Sequence, residues 1–102
     1  MYYLVGFNPK PRARKKQIVE AYEKFSKHFE KKLPQFKLMG LYVRNVLLGS
    51  RPHYLAIWEF SSYSDLDEWE RIFAMDKRGQ ELAKALSTLV TDWEAKVMSK
   101  LI

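Results

Sequence analysis

The chain has 102 residues, of which 47% are hydrophobic and 15% aromatic, and it carries 18 Lys/Arg against 12 Asp/Glu with no cysteine. One compact domain over residues 1–102 is expected, long enough to bury a core without staples. Zero Cys excludes disulfide frameworks, thiolate nucleophiles and Cys-ligated zinc or iron–sulfur sites. No apolar run nears the roughly 18 residues of a membrane span, and the N-terminal segment lacks signal-peptide order, so a cytoplasmic location is expected.

Residues 2–7, Tyr2-Tyr3-Leu4-Val5-Gly6-Phe7, read as a short strand ended by Asn8-Pro9. Over residues 11–33 the apolar positions Ile18, Tyr22, Phe25, Phe29 and Leu33 trace one helical face, and Pro34 stops the helix. A strand is predicted over 37–48, a turn at Gly49, Ser50, Arg51 and Pro52, and a third strand over 53–60; the short link makes the two a hairpin. Ser64 with Asp67 three residues later opens a second helical region, with Leu66, Trp69, Ile72 and Phe73 facing inward. That region is predicted to break over 76–79, because an unbroken stripe would put Asp76 and Gly79 on its apolar side. A further helix over 80–89 packs through Leu82, Ala85 or Leu86, and Leu89. The final segment alternates, with Trp93, Ala95, Val97 and Leu101 opposite Asp92, Glu94, Lys96 and Lys100, as a half-polar strand does.

The order β-α-β-β-α-β is the split-βαβ, ferredoxin-like arrangement, an α+β fold with helices on one face of a four-stranded antiparallel sheet. A lone two-layer domain leaves its outer sheet face wet, with polar residues alternating along each strand. Here the first strand sets Tyr3, Val5 and Phe7 against Tyr2 and Leu4, and the third sets Tyr54, Ala56, Trp58 and Phe60 against Leu55 and Ile57. Strands apolar on both faces predict that the sheet packs against a second copy of itself.

These strands, the element order and the stretch Ile57-Trp58-Glu59-Phe60-Ser61-Ser62-Tyr63-Ser64-Asp65-Leu66-Asp67-Glu68-Trp69 resemble the dimeric α/β-barrel superfamily. That group includes antibiotic-biosynthesis-monooxygenase-like, NIPSNAP-like and EthD-like small proteins. The resemblance implies a homodimer whose two ferredoxin-like sheets form a shared barrel. The superfamily spans cofactor-free oxygenases, haem-degrading enzymes, isomerases and proteins with no assigned activity. None of its catalytic motifs matches residue by residue.

Alternation places Glu94 and Lys96 on the barrel side of the last strand, Leu38, Gly40, Tyr42 and Arg44 on one side of the second, and His53, Leu55, Ile57 and Glu59 on one side of the third. Glu59 stands out as a carboxylate on an apolar strand, so it is expected to pair with Arg44 or Lys96 or to be protonated. One reading makes Tyr42, Arg44, Glu59 and Lys96 a ligand-binding set, with Glu59 and His53 as candidate catalytic groups. The preferred reading for Glu59 is a structural ion pair or a strand-end carboxylate reaching water. The resemblance admits haem ligation by His53, but a turn histidine is preferred, and His28 is read as a solvated surface residue. No metal or cofactor is expected, since no H-x-x-H or H-E-x-x-H spacing occurs.

Residues 1–51 hold 12 Lys/Arg against 3 Asp/Glu, whereas residues 52–102 hold 6 against 9. Lys10, Arg12, Arg14, Lys15 and Lys16 oppose a helix dipole, so either they hold an anion with free backbone N–H groups or the helix starts near Arg14 after a basic loop. The loop is preferred. Glu20–Lys24 and Glu23–Lys27 fall at i,i+4 spacing and blunt the charge beyond it. An RNA-recognition module shares the element order, but of its third-strand pattern only Ala56 and Phe60 fit, so nucleic acid is not the expected partner. Three functions follow in order of preference: binding or conversion of a small organic molecule in the barrel, a non-catalytic structural or interaction dimer, and a basic binder of nucleic acid or anionic surfaces.

Overall fold

A computed structural model of the chain describes residues 1–45 and 52–102. The elements run β1 (Tyr2–Pro9), α1 (Lys15–Lys32), β2 (Lys37–Val43), β3 (Tyr54–Glu59), α2 (Tyr63–Met75), α3 (Lys77–Ser87) and β4 (Val90–Met98). The four strands form one antiparallel sheet in the order β2-β3-β1-β4, the ferredoxin-like topology, with the helices on one face. The strand residues expected over 46–48 and the turn residues Gly49, Ser50 and Arg51 lie outside the described residues.

The core lies where α1 meets the helix-facing rows of β1 and β3. Ile18 and Tyr22 of α1, and Leu33 just past its end, are buried against Phe7, Tyr54, Ala56, Trp58 and Phe60, while Phe29 is buried toward Trp69 and Phe73, all on the stripe that the sequence spacing predicts. The packing is largely aromatic: Phe7 stacks on Tyr54 at 5.5 Å and on Tyr22 at 5.9 Å, and Phe36 stacks on Phe60 at 5.0 Å. Such ring pairs add about 0.5–1.5 kcal/mol each beyond the area they bury. Ser26 is buried in the same stripe because its hydroxyl donates to the Glu23 carbonyl at 3.0 Å, so no polar group is stranded.

Several expectations need correction. The helix caps shift: α2 starts after Ser62, not Ser64, because the Asp65 carboxylate accepts the Ser61 and Ser62 N–H groups at 3.0 and 3.1 Å. α3 begins at Lys77 rather than residue 80, since Asp76 caps it by accepting the Gly79 N–H at 3.1 Å. In β2 the register shifts between Leu38 and Gly40, so Leu38 joins Leu41 and Val43 on the core side while Gly40 and Tyr42 face away. Simple alternation could not show that bulge, which flips every side chain beyond it. β4 ends at Met98, leaving Leu101 exposed beyond the strand. The basic segment behaves as a loop: Arg12 has φ 79 in a turn before α1, and the Arg14 backbone N–H at the helix start donates to Gln17 Oε1 at 3.0 Å.

His28 is not a solvated residue. Its Nε2 lies 2.6 Å from Asp76 Oδ2, with the side chains 19% and 10% exposed, so α1 is clasped to the break between α2 and α3. Beside the clasp, Gly79 lets α3 approach closely; a Cβ there would fall 2.6 Å from Phe29 Cζ. The hydrogen bond from His28 holds the Asp76 carboxyl below the ordinary carboxylate range, and the Gly79 N–H helps, although burial acts the other way.

Asp76→Ala removes a helix cap and the His28 partner together, so urea unfolding near neutral pH should show a loss of about 1–2 kcal/mol. The folded pKa of Asp76 is depressed, so its contribution is present above the unfolded value and is lost as pH falls through the folded one. The gap between wild type and variant should therefore narrow below about pH 4. A gap that is constant down to the acid limit would show that the carboxylate charge plays no part.

Candidate functional site

The helices do not close evenly over the sheet. None of the residues of α2 is buried, whereas α1 and α3 both bury part of their inner faces. Trp69 and Phe73 of α2 stack on each other at 5.2 Å and rest on Phe29 of α1 at 5.7 and 5.8 Å, so α2 leans on a helix rather than on strands. Gln35 Nε2 donating to Glu68 Oε2 at 3.1 Å ties its middle, and the His28–Asp76 clasp holds its end.

Beneath α2 lies a cleft of about 430 Å³ that opens toward the β4 edge. Tyr3 and Val5 of β1 and Trp58 of β3 contribute from the sheet, and Tyr22 and Phe25 from α1. Trp69 and Phe73 form the α2 side, Ala83, Leu86 and Ser87 the α3 side, and Trp93, Glu94 and Ala95 the rim on β4. All three tryptophans of the chain line this one space. A volume of a few hundred Å³ with an apolar lining and few polar groups is typical of small-molecule sites.

The polar groups of the lining are spoken for or held neutral. Trp58 Nε1 donates to the Tyr22 hydroxyl at 2.9 Å, deep in the wall. Burial pushes the Tyr22 phenol far up, and it raises Tyr3 too, with the Glu70 carboxylate adding to that shift. Both phenols therefore stay protonated across ordinary pH and can act only as neutral hydrogen-bonding groups. Ser87 Oγ donates to the Lys84 carbonyl at 2.6 Å, and Glu94, although it borders the cleft, is in register with Gly6 and Leu55, so its carboxylate meets Lys96 Nζ at 3.1 Å on the helix-free face. The arrangement suits holding an apolar ring system.

The rim owes its shape to a β-bulge. Between Gly6↔Glu94 and Asn8↔Thr91 the register shifts, so Asp92 and Trp93 together oppose Phe7. Asp92 takes φ 58, a left-handed conformation that costs a non-glycine residue on the order of 1 kcal/mol, less for Asp than for most. Trp93 thereby sits 5.1 Å from the Phe7 ring at the mouth, 47% exposed.

The residues predicted as a site lie on the opposite, helix-free face. There Tyr42, Leu55, Gly6 and Glu94 form one row across the sheet, and Gly40, Ile57, Leu4 and Lys96 the next. Tyr42 is exposed with its ring over Gly40, where a Cβ would meet it at 2.9 Å. Arg44 and His53 do come together: the Arg44 N–H donates to the His53 carbonyl at 2.9 Å, and the guanidinium donates to the Pro52 carbonyl. Glu59 is exposed at the far end of β3, opposite Tyr2 and Lys37. Six residues of strand separate it from His53, about 20 Å, so the expected Glu59–Arg44 pair cannot form within one chain. Lys10, Arg12, Arg14 and Lys15 are all exposed on the loop before α1 and its first residue. The cleft itself was foreshadowed only by the helix-facing Trp93 and Ala95, since nothing in the spacing says that α2 stands off the sheet.

An antiparallel ferredoxin-like sheet whose helices enclose an aromatic cleft defines the class of fold. No protein-family model matches the chain, and no curated protein matches it in sequence. Among solved structures it is similar to a NIPSNAP family protein of unknown function from Agrobacterium tumefaciens, at 20% identity over 97% of this chain and 92% of that one, with a TM-score of 0.72. It is also similar to an uncharacterised NIPSNAP domain protein from Burkholderia xenovorans, at 10% identity over 99% and 96% of the two chains, TM-score 0.71. A dimeric protein of unknown function with a ferredoxin-like fold from Bacteroides fragilis matches at 13% identity over 93% and 90%, TM-score 0.59. The fold expected from the sequence is thus the fold these NIPSNAP and ferredoxin-like proteins share. Among the described residues no helix is long and apolar enough to cross a membrane.

Tyr22→Phe should leave the Trp58 indole N–H buried without a partner. The expected cost is about 1–3 kcal/mol in chemical denaturation. A variant as stable as wild type would show that the hydrogen bond does not hold α1 to the sheet.

Proposed function

We propose that this protein is a cytoplasmic homodimer that binds a small, largely apolar organic molecule in the cleft beneath α2. The observation that carries the reading is the cleft itself: about 430 Å³ walled by Trp58, Trp69, Trp93, Phe25, Phe73 and two neutral tyrosines. Aromatic surface left partly open between layers lacks the packing that a purely structural core would give it. The lining supports binding more directly than turnover, because its phenols stay protonated and its serine is already engaged.

The dimer follows from the other face. Leu4, Leu55 and Ile57 form an apolar centre there, flanked by Tyr2, Tyr42 and Met98. Glu59, Lys96, Glu94 and Arg44 surround that centre, which is the pattern of an interface core with a polar rim. The dimeric state of the Bacteroides fragilis neighbour supports the same arrangement. In such a dimer Tyr42, Arg44, Glu59 and Lys96 lie along the seam between protomers, where a ligand-binding role for them belongs to the same proposal.

Because every tryptophan faces the cleft, intrinsic fluorescence reports on it directly. Titration with the neutral probe N-phenylnaphthylamine should quench tryptophan emission and enhance probe emission saturably. Ala83→Phe, which fills the space from α3, should weaken this by roughly tenfold, about 1.4 kcal/mol. No saturable signal from the wild type would overturn the binding site. For the dimer, sizing in dilute buffer should give twice the chain mass, and Ile57→Lys, which puts an unpaired charge at the centre of the face, should give the single mass. A wild type that runs as a monomer would refute the paired sheets.

A further inference from the structure

The mouth of the cleft carries a local device that the fold does not need. Asp92 adopts φ 58 in the middle of a strand, although the neighbouring β1 residues Phe7 and Asn8 continue extended. Trp93 shares the cleft side with Ala95 by alternation, and the bulge sets the backbone immediately before it, with the indole tilted at 48° against Phe7. Strained conformations at non-glycine positions persist where surrounding contacts hold them, and bulges commonly re-aim a side chain beside a site.

Those contacts are present. Asn8 Nδ2 donates to Asp92 Oδ2 at 3.3 Å, and Asn8 Oδ1 accepts the His53 N–H at 2.9 Å. One amide side chain thus bridges β4 to β3 across β1, at the point where the register of β1 and β4 shifts.

We infer that Asn8 and Asp92 form a latch that holds the Trp93 indole as a fixed wall of the cleft, making them positioning residues for whatever molecule it binds. The inference rests on the cleft being a binding site, and it concerns how one wall of that site is kept in place. The Trp93 ring is half exposed, so packing alone leaves it free to swing away from the mouth; the bulge removes that freedom by setting the backbone beneath it. A ring already in place costs the ligand less ordering on binding.

Asp92→Gly separates the latch from stability, since glycine adopts positive φ without strain while losing the carboxylate that Asn8 holds. Asp92→Asn keeps a residue that tolerates this conformation and can still bond Asn8. Near-ultraviolet circular dichroism, with Trp93→Phe to identify the Trp93 band, reads ring order without any ligand; N-phenylnaphthylamine titration reads the site. The expected result is a folded Asp92→Gly protein with an unchanged or higher melting temperature, a lost Trp93 band and roughly three- to tenfold weaker probe binding, the worth of one aromatic contact. Asn8→Ala should likewise lose the band and weaken probe binding, with a lower melting temperature because the His53 N–H loses its acceptor, and Asp92→Asn should retain both band and affinity. A Trp93 band and probe affinity unchanged in Asp92→Gly would overturn the latch, as would a lost band with unchanged affinity. If the wild type binds no probe, the binding reading falls and takes the latch's role with it, an outcome distinct from a wild type and Asp92→Gly that bind equally.

Discussion

The hydrogen bond from the Trp58 indole to the Tyr22 hydroxyl, buried at both ends, is the constraint from which the helical layer is built. A buried donor must find its acceptor, so α1 can seat on the sheet at only one depth and one rotation. With Tyr22 placed, Ile18 and Leu33 enter the core at either end of the helix. Phe29, on the same stripe, is carried to the top of that layer, where it meets the rings of Trp69 and Phe73 and the backbone at Gly79. α1 thus rests on strands, while α2 and α3 rest largely on α1.

The cleft is a consequence of that order of support. A helix stacked on Phe29 cannot also drop its side chains onto β1 and β4, so space remains beneath it. Polar ties at Gln35–Glu68 and His28–Asp76 keep α2 in place without filling the gap. Those ties contribute less than a packed face would, and the difference appears as aromatic surface available to a ligand. The two faces of the sheet consequently differ: one borders a cavity within the chain, the other carries an apolar centre of Leu4, Leu55 and Ile57.

How far the sequence spoke depends on the range of the interaction concerned. The α1 stripe, the two-faced β1 and β3, and the break before α3 were all visible, because each follows from periodicity within a dozen residues. Asp76 and Gly79 were recognised as misfits on an apolar stripe; what they do, clasping His28 and admitting Phe29, needed partners 48 and 50 residues away. Alternation puts Leu38 on the outer face because it assumes an unbroken register. One bulge is enough to undo that placement.

Element order, the helix-facing residues of β1, β3 and β4 and the exclusion of thiol chemistry were determined by sequence alone, since they depend on residue identity and local spacing. The location of the cleft was decided only by the tertiary structure. It depends on the height at which α2 is held above the sheet, and that height is set by contacts among Phe29, Trp69, Phe73 and the Asp76 clasp. The same is true of Trp93: its side of the strand was readable, but its fixed place at the mouth comes from a positive φ at Asp92 and a bridge through Asn8, which no local pattern encodes.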